Sequence, residues 1–163
     1  MIKYIQGKMS KDLYVQVWED RLKVSSVDKT FDEEPLMALK PDKKGELIVV
    51  AIGNSVKALV KSEYETIVNP FKHPRLLVHD FTVAEKIIMH VFRLIHESKI
   101  FLPSPRVIFQ PMEKLEGGVT TVEERVYKEL CFGAGAREVF IHTGNPLSIY
   151  DIDFKQFKSD NSE

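Results

Sequence analysis

At 163 residues and 18.8 kDa, with 44% hydrophobic and 29% charged residues, the chain has the size and composition of one globular domain with a substantial core. A formal net charge of −1 excludes any general attraction to nucleic acid or anionic lipid, so such contacts would have to be local. No apolar run approaches the roughly 18 residues of a spanning helix, and Met1-Ile2-Lys3-Tyr4 lacks the apolar core of a secretion signal. A cytoplasmic protein, or one peripheral to the inner face of the membrane, is expected.

Alternating apolar segments fill residues 2–24. Ile2 and Tyr4 precede a turn-like Lys8-Met9-Ser10-Lys11-Asp12. Leu13, Val15 and Val17 then share one face, and Arg21-Leu22-Lys23-Val24 follows a polar Glu19-Asp20 turn, which together predict an antiparallel three-strand meander. Phe31-Asp32-Glu33-Glu34-Pro35 reads as a loop into Leu36-Met37-Ala38-Leu39. After a Pro41–Gly45 turn, Leu47–Ile52 is apolar enough to be a central strand. Residues 61–79 read as irregular, with Lys72-His73-Pro74-Arg75 a local basic spot of solvated loop charge.

Thr82 and Glu85 have capping-box spacing and open a helix whose stripe is Val83, Ile87, Ile88, Val91, Phe92 and Ile95, ending near Ser98. Pro103-Ser104-Pro105 must be extended or turned. Pro105–His142 then reads as strand, helix, strand: Arg106-Val107-Ile108-Phe109, the helix Val122–Phe132, and Glu138-Val139-Phe140-Ile141, a right-handed crossover between parallel strands. Two overlapping capping boxes, Thr120 with Glu123 and Thr121 with Glu124, start that helix. Val122, Val126, Leu130 and Cys131 form its inward stripe, and Gly133 or Gly135 stops it. Cys131, the single cysteine, is expected to be a buried thiol in a reducing compartment. Residues 1–150 read as one subdomain and 151–163 as a polar tail, frayed from Ser159.

These elements predict an α/β fold of the ribonuclease-H-like, actin-like ATPase kind, a mixed five-stranded sheet with the meander at one side and flanking helices. The chain resembles the bacterial actin-like rod-shape-determining proteins, the MreB family. The resemblance rests on Glu34-Pro35, Val50-Ala51-Ile52-Gly53, Asp80-Phe81-Thr82-Val83 and Pro103-Ser104-Pro105-Arg106-Val107. It is densest in Gly118-Val119-Thr120-Thr121-Val122-Glu123-Glu124-Arg125 and Gly135-Ala136-Arg137-Glu138-Val139-Phe140. It covers about residues 2–146 and matches the family's first half, mainly the base subdomain.

Such an ATPase has a phosphate loop after its first strand, of the pattern Asp-x-Gly-Thr, in which the acid organises a metal and the glycine admits the phosphates. Counting back from Leu13 puts those positions at Gln6, Gly7, Lys8 and Met9, where the acid, the glycine and the hydroxyl are missing from their places. The resemblance also implies a Glu-Glu-Pro after the last strand, to position the attacking water. Here Thr143-Gly144-Asn145-Pro146 stands instead, and Thr143 is no general base. Neither nucleotide nor metal is expected to be bound, and hydrolysis by this chain alone is not expected. His73, His79, His90, His96 and His142 form no recognised zinc spacing. Gly133-Ala134-Gly135 follows a helix and precedes a strand, the reverse of a dinucleotide loop.

What remains is surface. Ile100-Phe101-Leu102 places three large apolar residues in a loop, either folded back on the core or, as the resemblance implies, a membrane-inserting element. The expected function is therefore binding without catalysis. Partners would be a full-length actin-like filament protein, another copy of the chain or a membrane surface, with no nucleic acid. An ATPase half whose site is completed by another chain is the alternative, and a ribonuclease-H-like nucleic-acid module a weaker one.

Overall fold

The computed structural model describes residues 10–97 and 100–160. Its larger sheet has the order β3-β2-β1-β7-β8, built from β1 (Leu13–Val17), β2 (Leu22–Ser25), β3 (Thr30–Glu33), β7 (Arg106–Pro111) and β8 (Glu138–Ile141). The first three are antiparallel, and β1, β7 and β8 run parallel. The expected meander is present, displaced along the chain. Its outer member is Thr30–Glu33, which the sequence presents as loop because Thr30 and Asp32 face solvent and only Phe31 is buried. The Ile2–Tyr4 segment lies outside the described residues.

Strand β1 is central, and all five of its residues are buried. Leu13, Val15 and Val17 join Val107 and Phe109 in the main core, beneath helices α1 (Phe81–His96) and α2 (Thr121–Gly133). All six apolar residues of the α1 stripe are buried there. Asp80, rather than Thr82, caps this helix by accepting the Val83 amide at 3.1 Å, and Glu97 ends it in the left-handed conformation. The Asp80 carboxylate takes the Val83 amide, so the helix starts two residues ahead of the Thr82 cap that the spacing predicts.

Helix α2 keeps the Thr120–Glu123 box, with Thr120 Oγ1 accepting the Glu123 amide at 3.2 Å and Glu123 accepting the Thr120 amide at 2.8 Å. Its buried residues are Tyr127, Leu130 and Cys131. Val126 is half-buried and Val122 is exposed, so the inward stripe is rotated toward Tyr127, whose ring stacks on Phe109 at 4.9 Å. Gly135 makes the stop at φ +116°, where an added Cβ would lie 2.9 Å from the Pro103 carbonyl oxygen.

The opposite sheet face carries Tyr14 and Ile108. Phe154 covers them, with Phe140, Leu147, Ile149, Ile152 and Phe157 around it. Phe154 and Phe157 belong to a short helix α3 (Phe154–Asp160), so part of the expected polar tail is structural.

A second sheet has the order β5-β4-β6, from β4 (Met37–Pro41), β5 (Leu47–Ile52) and β6 (Thr66–Val68). Here β5 is an edge strand, not a central one, and β6 falls within the stretch read as irregular. The apolar run of β5 suggests burial on both faces, but Leu47, Ile48 and Val49 remain exposed because nothing described covers them.

Candidate functional site

In open sheets with parallel strands, ligands bind outside the carboxyl ends of those strands. The ends of β1, β7 and β8 lie together: Val17 pairs with Pro111, Phe109 pairs with Ile141, and the Met112 amide donates to Val17 O at 2.9 Å. Three connections meet at this edge, namely the turn Trp18-Glu19-Asp20-Arg21, the segment after Pro111, and His142–Pro146.

The edge is occupied by its own side chains. Glu113 accepts the Glu19 amide, and Lys114 pairs with the Glu19 carboxylate. The Asn69 carboxamide donates to Glu19 O at 2.8 Å, Lys72 pairs with Asp20, and the Gln16 carboxamide contacts Met112 Sδ at 3.7 Å. Arg21 binds both oxygens of Asp32 and lies 4.7 Å above the Trp18 ring. The bond from Glu19 holds the Lys114 ammonium above the usual lysine range.

Deeper in, the Tyr14 hydroxyl donates to Gln110 Oε1 and accepts the Leu147 amide at 3.1 Å, while Gln110 Nε2 donates to Gly144 O at 2.8 Å. Burial pushes the Tyr14 phenol up, partly offset by the Leu147 bond. Thr143 is exposed, and Gly144 adopts φ +126°. Among the described residues no three histidine, cysteine or acidic side chains are grouped to hold a metal.

Gln6, Gly7, Lys8 and Met9 lie outside the described residues. The first described strand ends at Val17, and the turn that follows it is Trp18–Arg21, with neither glycine nor a hydroxyl residue. At a carboxyl edge, that turn is where a phosphate loop would work, and the sequence contained the signal. Leu13, Val15 and Val17 alternate directly into an acidic turn and a second strand.

The apolar loop lies at the other end of the sheet, before β7. Ile100 is 98% exposed, Leu102 is exposed and Phe101 is half-buried. The chain after them is fixed. The Ser104 amide donates to Ser10 Oγ at 2.8 Å, Ser104 O accepts the Arg137 guanidinium, and Pro105 O accepts the Arg137 amide at 2.9 Å. Loop and crevice are separated by the length of β7 and do not form one site.

An antiparallel meander running into a parallel strand–helix–strand unit, with helices on both faces, defines an actin-like fold. The solved structure of MreB 5 of Spiroplasma citri bound to AMPPNP superposes with a TM-score of 0.56 at 17% identity, covering 80% of this chain and 38% of that one. A MamK double helical filament superposes at 0.54 with 12% identity, over 80% and 40% of the two chains. The family model "MreB/Mbl protein" matches residues 25–147, and the chain belongs to that family. The cell shape-determining protein MreB of Haemophilus influenzae is 31% identical over 146 residues, 86% of this chain and 40% of that protein. The chain thus spans about 40% of the length of the curated relatives it matches.

Proposed function

We propose that this chain acts by binding rather than by hydrolysis, as a single actin-like subdomain in the cell-shape context for which its relatives are named. Its partners are a full-length actin-like protein or further copies of itself, in the cytoplasm or at its membrane. The observation that carries this reading is the Trp18–Arg21 turn. A phosphate loop needs backbone amides open to an anion and an acid to organise its metal. Here Gln16, one residue before the end of the strand, carries no charge, the Glu19 amide is already taken by Glu113, and the Glu19 carboxylate is paired with Lys114. The exposed Thr143 supplies no base.

Isothermal titration with magnesium and ATP tests this directly: no heat of binding is expected, and micromolar affinity would overturn the reading. The double helical filament formed by MamK, which shares this fold, supports self-association as one mode. No described helix is long and apolar enough to cross a membrane, and the Ile100–Leu102 loop is the membrane contact proposed here. Burying each such side chain contributes roughly 1.5–3 kcal/mol, which anchors weakly unless many copies are displayed together. Liposome co-sedimentation is expected to weaken with Phe101→Asp, and an unchanged bound fraction removes the membrane component.

A further inference from the structure

Strand β5 is the open margin of the smaller sheet, paired among the described residues with β4 alone. A strand bonded on one side turns alternate amides and carbonyls outward, a row that another extended strand can complete. Edges are ordinarily blunted by charge, proline or covering loops. None of these interrupts Leu47-Ile48-Val49-Val50-Ala51-Ile52, and Leu47, Ile48 and Val49 are 55%, 42% and 41% exposed. The register shift opposite Ala38/Leu39 makes Val50 the extra, bulged residue, so the regular exposed stretch is Leu47–Val49.

We propose that β5 pairs antiparallel with β5 of a second copy of this chain, about a two-fold axis at Ile48. A two-fold axis perpendicular to a sheet sets one residue opposite itself. Centring on Ile48 sets Leu47 against Val49 of the other copy and keeps all three clear of the bulge. Charge supports the same register. The exposed Lys43-Lys44 turn begins five residues before the axis, and Gly53 lies five residues after it, so each basic turn meets the Gly53 end of the other copy. There Glu33 Oε2 accepts the Asn54 amide at 2.8 Å and occupies the space beside Gly53. Symmetry makes this lysine–carboxylate approach twice. The opposite margin, β6, is only three residues long and offers a shorter ladder.

The product is a six-stranded sheet, β6-β4-β5-β5-β4-β6. Its interface is small, so the pairing is weak in free solution and strengthened wherever copies are held close. The proposal deepens the self-association in the reading above by giving it a surface, and it requires no nucleotide.

Sedimentation velocity of the full chain is expected to show a dimer that grows with protein concentration and weakens with salt. Ile48→Lys, a surface change checked for an unaltered thermal midpoint, is expected to weaken it by about tenfold or more. Opposed residues in an antiparallel ladder stand within disulfide reach. Ile48→Cys should therefore cross-link to itself under mild oxidation. Ile67→Cys, comparably exposed on the opposite margin, should not, and the buried Cys131 should stay out of the reaction. A chain that stays monomeric at every concentration overturns the proposal. So does a dimer indifferent to Ile48→Lys that fails to cross-link at Ile48→Cys, although that result would leave self-association itself intact.

Discussion

Removing one oxygen from Tyr14 measures how firmly the carboxyl edge is tied to the sheet beneath it. The side chain is 2% exposed, and its hydroxyl bonds both Gln110 and the Leu147 amide. Tyr14→Phe keeps the ring against Ile108 and Phe154 but strips both partners. Gln110, also 2% exposed, is left with an unmatched carbonyl, while the half-buried Leu147 amide can turn toward water. A buried polar group without its partner costs about 1–3 kcal/mol, so a loss of about 2 kcal/mol is expected. For a chain of this size that lowers the thermal midpoint by about 4–8 °C. Urea unfolding followed by circular dichroism gives the energy. The cycle with Gln110→Leu gives the coupling, expected at about 1 kcal/mol because the second change removes the group that the first left stranded. A loss below about 0.5 kcal/mol, or strict additivity in the cycle, would refute the network as described.

Gly135→Ala should destabilise by more than the roughly 1 kcal/mol of a left-handed alanine, because its Cβ also meets the Pro103 carbonyl; a urea midpoint equal to wild type would contradict this. Thr120→Ala should cost about 1 kcal/mol through loss of the α2 cap, while Thr121→Ala costs little, a contrast readable in paired melts. Burial holds His96 below the ordinary histidine range, partly opposed by its bond to Phe92 O, and its Nε2 accepts the Lys11 amide at 2.8 Å; burial likewise lowers His90. The unfolded chain therefore takes up protons first. Stability is full above about pH 6.5 and is lost as pH falls below it, and a urea midpoint flat from neutral pH to about pH 5.5 would contradict this. Burial also pushes the Cys131 thiol well up, so it should react with a thiol reagent only after unfolding.

The β7–α2–β8 unit was legible because each of its signals is local. Thr120 and Glu123 are three residues apart, and Gly135 stops the helix within the same short segment. Where the outcome depends on distant partners, the local pattern misleads. Leu47–Ile52 has the composition of a buried strand, yet among the described residues it stands at a sheet margin, paired with β4 alone. Thr30–Glu33 has the composition of a loop, yet it gains a ladder from β2 and one buried anchor in Phe31. Phe154 and Phe157 looked isolated in a polar tail because their contacts, Tyr14 and Ile108, are far away in sequence. The carboxyl edge also depends on distant partners. Alternation alone identifies strands but not which one stands first in the sheet, and the crevice follows from that order.

The anchoring of Pro103–Pro105 has a mechanical side. Ser10 holds the Ser104 amide, and Arg137 holds the Ser104 and Pro105 carbonyls, just ahead of β7. A partner that seats Ile100 and Leu102 therefore has little downstream chain left to order, and keeps more of the burial energy as affinity. A tug on that partner would pass straight into β7, which is held by parallel neighbours on both sides. Load along such a strand strains many hydrogen bonds at once instead of opening them singly, so the loop is mounted where the sheet can best resist being pulled.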